Sequence, residues 1–275
     1  MKSVYMRVVL GLLTTLLIVG KASASQVEVL WIGHAATKVT TVTGKTILID
    51  PGITTIPTSP EKYKDLNNLG KIDLVLVTHG HPDHMADLSA VLAKTGAKVV
   101  ANHELVEQAA SLGIIPASYQ FLKERIAMNK GGTITPLGPE IKITMVPADH
   151  SSSLPVPGSD TNKYLYAGEP VGYVIELENG FTIYHSGDTN VFTDMGLIGR
   201  AHKIDLALVC IGGHFTMDPK GAALALSEFL KPRQVIPIHY GTYPVLTGTP
   251  EQLKKELGGS GIKVLDVKPG QSVKF

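Results

Sequence analysis

The 275-residue sequence has a single cysteine, Cys210, so an internal disulfide is excluded. Stability must come largely from an apolar core, and the 44% hydrophobic content is sufficient for a sizeable one. Cys210 lies inside the apolar run IDLALVCIG, which favours a buried structural thiol over a ligand. At this length the chain can form one large domain or two small ones.

Long runs of one charge are also missing. The formal net charge is +1, and no stretch combines clustered basic residues with aromatic ones. Binding to nucleic acid without sequence preference depends on such basic surfaces, so nucleic acid is not an expected partner.

An apolar run long enough to span a bilayer is lacking as well. Near the N-terminus, Lys2 and Arg7 precede VVLGLLTTLLIVG, about 13 residues where a spanning helix needs roughly 20. Small residues in an AxA arrangement follow at positions 22–24, as in a secretory signal peptide. We predict a signal peptide over residues 1–24, cleavage after Ala24 and one mature domain over 25–275. The mature protein is expected to be periplasmic or secreted, without stable membrane insertion.

Buried strands and amphipathic helices alternate along the mature chain. The runs KIDLVLVT, IDLALVCIG and RQVIPIHYGT are typical of strands buried on both faces. MADLSAVLAKTG and HELVEQAASLG have helical periodicity, and VGYVIELENGFTIYH predicts a hairpin. Residues 151–170 show no clear period and suggest a lid or pocket wall. This order predicts a layered α/β fold.

The segment THGHPDH directly follows the first buried run and contains His79, His81, Asp83 and His84. Side chains at i and i+2 of an extended segment point the same way, so His79 and His81 can bind one ion. Pro82 favours a turn or the first position of a helix, which allows Asp83 and His84 to reach a second ion. Imidazole and carboxylate ligands suit zinc, iron or manganese better than calcium or magnesium.

Three further residues that can bind metal also follow predicted strands: His150, Asp188 and His239. Strand ends meet at the edges of a sheet, where scaffolds place reactive groups. Taken alone, Asp188 is expected in an Asx turn or a helix cap. Beside the THGHPDH segment it becomes the candidate carboxylate between two ions. Seven ligands of this kind leave room for water at both ions, as in catalytic rather than structural sites.

The pattern HxHxDH, followed by a lone histidine, GDT and a late histidine, resembles the metallo-β-lactamase superfamily of hydrolases. The resemblance implies a four-layer αββα sandwich of two mixed β-sheets flanked by helices. It also implies two divalent metal ions, expected to be Zn²⁺ with Mn²⁺ or Fe²⁺ as alternatives. By this resemblance the first ion is bound by His79, His81 and His150, the second by Asp83, His84 and His239, and both by Asp188.

More narrowly, IGHA, LIDP, YAGEP, YHSGDT, FTM and IPIHYGT resemble an uncharacterised metal-dependent hydrolase branch of that superfamily. The branch is related to ascorbate-phosphate lactonases and phospholipase D type members. It usually lacks an export signal, and it has an acid or amide pair where this chain has Gly213 and His214. We predict that His34, in the GH pair, and His214 contact the substrate.

The implied activity is hydrolysis of an ester, lactone or phosphodiester bond in a small molecule by a metal-activated hydroxide. Asp83 or Asp188 can orient the hydroxide and move its proton. The alternatives are a di-iron redox protein on the same fold, a β-lactamase, or a binding protein without catalysis. His81 argues against the redox branch, which typically has glutamate there. The substrate, the native metal and association into a homo-oligomer are left open.

Overall fold

The computed structural model of the protein describes residues 26–156, 158 and 163–275. The predicted signal peptide, residues 1–24, and its cleavage site after Ala24 lie outside these residues and remain predictions, as does the domain start at residue 25. Within the described ranges, no helix combines the length and the apolar character needed to cross a membrane.

Strands dominate the described chain. They are β1 (Glu28–Gly33), β2 (Ala36–Thr40), β3 (Thr46–Ile49), β4 (Leu74–Leu76), β5 (Lys98–Asn102), β6 (Arg125–Met128), β7 (Thr133–Ile134), β8 (Lys142–Pro147), β9 (Ser153–Pro155), β10 (Tyr164–Tyr166), β11 (Val171–Glu176), β12 (Thr182–His185), β13 (Leu206–Cys210), β14 (Gln234–Ile238), β15 (Lys263–Val264) and β16 (Gln271–Lys274).

The helices are short. They are α1 (Glu61–Lys64), α2 (Pro82–Met85), α3 (Leu88–Thr95), α4 (His103–Ser111), α5 (Met195–Ala201), α6 (Pro219–Leu224) and α7 (Pro250–Leu257). A 3₁₀ turn spans Leu66–Leu69, and α6 continues as a π-helical segment over Ala225–Leu230.

The strands form two seven-stranded sheets and one small hairpin. The first sheet has the order β16-β1-β2-β3-β4-β5-β6, and the second has the order β15-β14-β13-β12-β11-β8-β7. The hairpin of β9 and β10 lies in the segment predicted as a lid or pocket wall. Both large sheets contain parallel and antiparallel neighbours, as predicted for mixed sheets.

Alternating side chains of the buried strands explain how the sheets stack. In β4, Leu74 and Leu76 pack in the core between the two sheets, whereas Val75 faces the helices of the first sheet. In β13, Leu208 lies in the same central core and Val209 packs with the helices of the second sheet. The layers are therefore helix, sheet, sheet, helix, which confirms the predicted αββα fold.

Strand direction places the candidate ligands at one end of the sandwich. In the first sheet β1, β3 and β4 run the same way, because β2 is antiparallel to both of its neighbours. In the second sheet β8, β12, β13 and β14 share a direction, because β11 is antiparallel to β8 and to β12. The segments that follow β4, β8, β12 and β14 carry every residue predicted to bind metal.

Candidate metal centre

The segment after β4 holds the densest group of candidate ligands. Pro82 is the first residue of α2, as the sequence predicted, and His81 precedes it as the N-cap residue. Nε2 of His79 and Nδ1 of His81 are 3.0 Å apart. Two ring nitrogens this close suit adjacent ligands of one cation, whose bonds to imidazole are about 2.0–2.1 Å long for zinc.

All seven predicted ligands are brought together in groups whose donor atoms lie within 4.8 Å of one another. The first group is His79, His81 and His150; the second is Asp83, His84 and His239, joined by His34; the third is His79, His84 and Asp188. The first two groups match the ligand sets that the family resemblance implied. His79 and His84 each belong to two groups, so the groups are contiguous.

The carboxylate of Asp188 lies between the two sets. Its Oδ1 is 3.3 Å from Nε2 of His84, and its Oδ2 is 3.1 Å from Nε2 of His239 and 3.7 Å from Nε2 of His150. Asp188 follows β12, and the residue is 3% exposed. A buried carboxylate in this position can contact cations in both sets.

Unpartnered buried atoms provide a test of whether the residues fit metal ions. Nε2 of His84, both ring nitrogens of His239 and Oδ1 of Asp188 are buried and make no hydrogen bond of good geometry. Buried polar atoms normally have partners, and an unmet one is costly. Imidazole nitrogen and carboxylate oxygen are ligands for zinc, iron and manganese. The donor set therefore fits divalent cations.

The electrostatics differ between the two sets. Burial lowers the pKa of His79, of His81 and of His150, which favours the neutral ring that a metal requires. Burial also disfavours the charged forms of His84 and His239. Nearby carboxylates, with Asp188 foremost, nevertheless raise the pKa of His84 well above its usual value and that of His239 to about 9. Protons and a cation therefore compete for the second set.

The carboxylates of Asp188 and Asp83 are both kept ionised by neighbouring histidines. Burial alone would raise the pKa of Asp188, but His239 and His84 hold it well below its usual range. Likewise, the charge of His84, the close approach of His239 and the hydrogen bond from His34 hold the pKa of Asp83 far below normal despite burial. Acceptor-only carboxylates are the form that binds a cation.

Asp50, at the end of β3, orients two of the candidate ligands, although sequence reasoning gave it no role. Its carboxylate accepts hydrogen bonds from the Thr78 amide, the Thr78 hydroxyl and Nδ1 of His84, each 2.8 Å long. The Thr78 hydroxyl also lies 3.0 Å from Nδ1 of His79. These bonds leave Nε2 of both rings for the centre. An aspartate directly after the buried TILI strand, as Asp188 follows β12, was the available signal.

Close packing further fixes the centre. Gly52 leaves no room for a side chain, because an added Cβ would lie 1.8 Å from the carbonyl oxygen of Asp83. His34, Asp50 and His239 have φ values of 52°, 51° and 54°, a left-handed conformation that is costly for residues other than glycine. Such strain persists where the surrounding structure imposes it, and here it recurs at three strand ends of one site.

An open cavity of about 340 Å³ lies over the centre. It is lined by His81, Pro82, Asp83, His150, Ser151, Asp188, Phe215 and His239. The Phe215 side chain is 59% exposed at its rim, and none of the eight lining residues is lysine or arginine. Sequence reasoning did not single out Phe215, although it follows the predicted His214 directly.

The two residues predicted to contact substrate occupy different surroundings. His34 is fully buried, and its Nε2 lies 2.9 Å from Oδ2 of Asp83, on the protein side of that carboxylate. His214 is exposed and packs edge-on against Phe215 with ring centroids 4.4 Å apart. Neither residue lines the cavity, so their contact with substrate remains a prediction.

Comparisons with known proteins identify the family of this chain. A family model described as a beta-lactamase superfamily domain matches residues 45–240. Igni18, a solved metallo hydrolase from the archaeon Ignicoccus hospitalis, superposes with a TM-score of 0.76 and 34% identity, covering 91% of this chain and 98% of that one. The metallo-beta-lactamase fold protein YhfI from Bacillus subtilis, at 15% identity and a TM-score of 0.65, shares the fold. The chain belongs to the metallo-β-lactamase superfamily, as the sequence predicted.

Sequence relatives narrow the assignment. A UPF0173 metal-dependent hydrolase from Cupriavidus necator is 47% identical over 260 residues, covering 93% of this chain and 88% of the relative. Another from Thermodesulfovibrio yellowstonii is 43% identical over 256 residues, covering 92% and 94%. Within the superfamily this chain is thus a metal-dependent hydrolase of the UPF0173 group, which confirms the predicted enzyme class.

Proposed function

We propose that this enzyme holds two divalent metal ions, expected to be Zn²⁺, and hydrolyses an ester, lactone or phosphodiester bond in a small molecule. His79, His81 and His150 would hold the first ion, Asp83, His84 and His239 the second, and Asp188 both. The observation that carries the proposal is the position of Asp188, whose buried carboxylate lies 3.3 Å or less from His84 and His239 and 3.7 Å from His150.

The metal ions would acidify a water molecule and polarise the scissile carbonyl or phosphoryl group. The protein residues supply the remaining chemistry. Asp83 is 28% exposed at its side chain and lines the cavity, so its carboxylate can orient the attacking water by accepting a hydrogen bond from it. Asp188 is nearly fully buried and would mainly fix the spacing between the two ligand sets.

A cysteine nucleophile does not fit this site. Cys210 is fully buried and does not line the cavity, and burial raises the pKa of its thiol to about 11. Thiolate is the nucleophilic form of cysteine, and very little of it forms at neutral pH with such a pKa. The Cys210 thiol is therefore not the nucleophile, and the proposal assigns that role to water.

The test is elemental analysis of purified protein beside the Asp188→Asn variant, followed by assays with a lactone, a phosphodiester and a β-lactam. We expect two equivalents of metal in the parent and a joint loss of metal and turnover in the variant. Asp266→Asn, which changes an exposed ion pair with Lys268, is the matched control. Full metal content and unchanged kcat in Asp188→Asn would remove Asp188 from the site. Iron together with redox activity would favour the di-iron alternative.

We further propose that residues 1–24 direct export. The proposal rests on the charged start, the short apolar run and the AxA arrangement of the sequence. Mass spectrometry of the full-length chain expressed in a Gram-negative host should find the mature protein in the periplasm or medium, beginning at Ser25. A chain that stays intact in the cytoplasm would contradict export.

A further inference from the structure

His34 connects to the metal centre through both ring nitrogens. The residue follows β1, is fully buried and packs its ring on His239 with centroids 3.8 Å apart. Its Nε2 lies 2.9 Å from Oδ2 of Asp83, and its Nδ1 lies 2.9 Å from the hydroxyl of Thr242. Both polar atoms of the ring therefore have a partner within the protein.

The backbone of His34 makes a second connection. Its carbonyl oxygen accepts the amide of His239 at 2.9 Å and the indole N–H of Trp31 at 3.0 Å. β1 and β14 belong to different sheets, so this bond joins the sheets beside the centre. One residue thus contacts Asp83 through its ring and His239 through its backbone.

The chemistry of the partners determines the proton positions on the ring. An ionised carboxylate can only accept, so Nε2 of His34 carries the hydrogen and donates it to Asp83. Nδ1 of a neutral ring is then an acceptor, and the Thr242 hydroxyl donates to it, because Nδ1 is 2.9 Å away and the competing Tyr240 carbonyl oxygen is 3.5 Å away. Thr242 is 7% exposed, which limits competition from water.

We propose that His34 is a positioning residue for the second metal ion: Thr242 holds the ring of His34 in place through Nδ1, and His34 orients the Asp83 carboxylate and locates His239. This inference rests on the proposed function, because it assigns both contacts to ligands of that ion. A ligand role for His34 is the competing interpretation, since one of its ring nitrogens lies within 4.8 Å of donor atoms of Asp83, His84 and His239. Occupation of both ring nitrogens by hydrogen bonds favours positioning.

Two matched pairs of variants separate these roles. His34→Phe keeps a ring but removes both nitrogens, whereas His34→Gln can place an amide N–H where Nε2 donates. Thr242→Val removes the hydroxyl with little change in shape, whereas Thr242→Ser keeps it. Each full-length protein is freed of metal with a chelator, checked for folding by circular dichroism, and titrated with Co²⁺ by calorimetry and visible absorption.

The parent should bind two Co²⁺ ions. In His34→Phe and Thr242→Val the second ion should bind about 10- to 100-fold more weakly and with a changed visible spectrum, as expected when an orienting partner of a ligand is lost. The first ion should bind as in the parent. His34→Gln and Thr242→Ser should restore the second site to within a few-fold of the parent.

Other outcomes overturn the inference. His34→Phe that binds the second ion as tightly as the parent would show that His34 does not position the site. Loss of the second ion in both His34 variants, with parent-like binding in Thr242→Val, would make His34 a ligand instead. A parent that binds fewer than two ions would overturn the proposed function together with this inference, and that result is visible before any variant is compared.

Discussion

Nδ1 of His84 donates a hydrogen bond to Oδ2 of Asp50 over 2.8 Å, and both side chains are fully buried. The same carboxylate also accepts the amide and hydroxyl of Thr78. A ring held in this way has one tautomer and one orientation, with Nε2 free to face the metal centre. Asp50 therefore supports metal binding from beneath the candidate ligands.

Replacing Asp50 with asparagine should weaken metal binding. The amide cannot accept all three hydrogen bonds, so a buried donor is left unmet at a cost of about 1–3 kcal/mol in the free energy of unfolding. We expect metal affinity to fall by roughly 10- to 100-fold. Metal titration and urea unfolding measure the two effects, with the exposed substitution Asp266→Asn as control. Parent-like metal affinity in Asp50→Asn would contradict the orienting role.

The pKa of His239 predicts proton release on metal binding. Asp188 raises this pKa from 6.5 to about 9 against the effect of burial, so the metal-free folded protein keeps the proton at neutral pH. A cation needs the neutral ring, so affinity should increase as the pH rises from 6.5 towards 9. The protonated ring of His239 increases the free energy of unfolding of the metal-free protein. This contribution is complete below pH 6.5 and is lost as the pH rises through about 9.

Calorimetry in buffers of different ionisation enthalpy measures these protons. We expect binding of the second ion at pH 7 to release at least about one proton, because His239 is protonated in the metal-free protein, and to release less in His239→Gln. The difference in Tm between metal-loaded and metal-free protein should widen between pH 6.5 and 9. Binding at pH 7 without any proton release would contradict the assignment of His239 as a ligand.

Much of the fold was predictable because buried strands carry strong local signals. The runs around β4, β13 and β14 are apolar on both faces, and each ends at or near a residue with metal-binding chemistry. The family resemblance then supplied the layer order. Pairing of the C-terminal strand β16 with β1 was not predicted. Their register pairs Val29 with Val273, and neither local sequence indicates the other segment as its partner.

The site was less predictable where contacts join distant loops. The spacing of THGHPDH indicates ligands by itself, but nothing in the sequence places Thr242 beside His34 across 208 positions. His34 was predicted to contact substrate because a GH pair ends its strand, and only the packing shows its ring behind Asp83. The role of Asp50 was not predicted either, since an aspartate after a strand is more often a turn or cap residue.

Gly52 provides a steric test of the segment that carries Asp83 and His84. An alanine Cβ there would lie 1.8 Å from the carbonyl oxygen of Asp83, so α2 must shift. We expect Gly52→Ala to lower metal content and to reduce kcat/KM by about 100-fold, since misplacement by about 1 Å can have that effect. Gly259→Ala is the control, because its Cβ would meet nothing within 4 Å. Parent-like metal content and kcat/KM in Gly52→Ala would show that the loop tolerates displacement.

Phe215 should affect substrate binding without affecting the metals. Its ring is 59% exposed at the rim of the cavity and contacts no candidate ligand through a hydrogen bond, while its amide closes a turn to Gly213 at 2.7 Å. A substrate with an apolar part would cover this ring, and half-burial of an aromatic side chain contributes about 1 kcal/mol.

Phe215→Ala should therefore raise KM for an apolar ester or lactone about fivefold, with kcat and metal content unchanged. The turn should survive, because alanine keeps the Cβ and the backbone bond. Leu224 is an exposed apolar residue on α6 that does not line the cavity, so Leu224→Ala should leave KM unchanged. If Phe215→Ala lowers kcat and metal content instead, the ring supports the centre itself. If KM stays constant across apolar substrates, the substrate does not cover this side of the cavity.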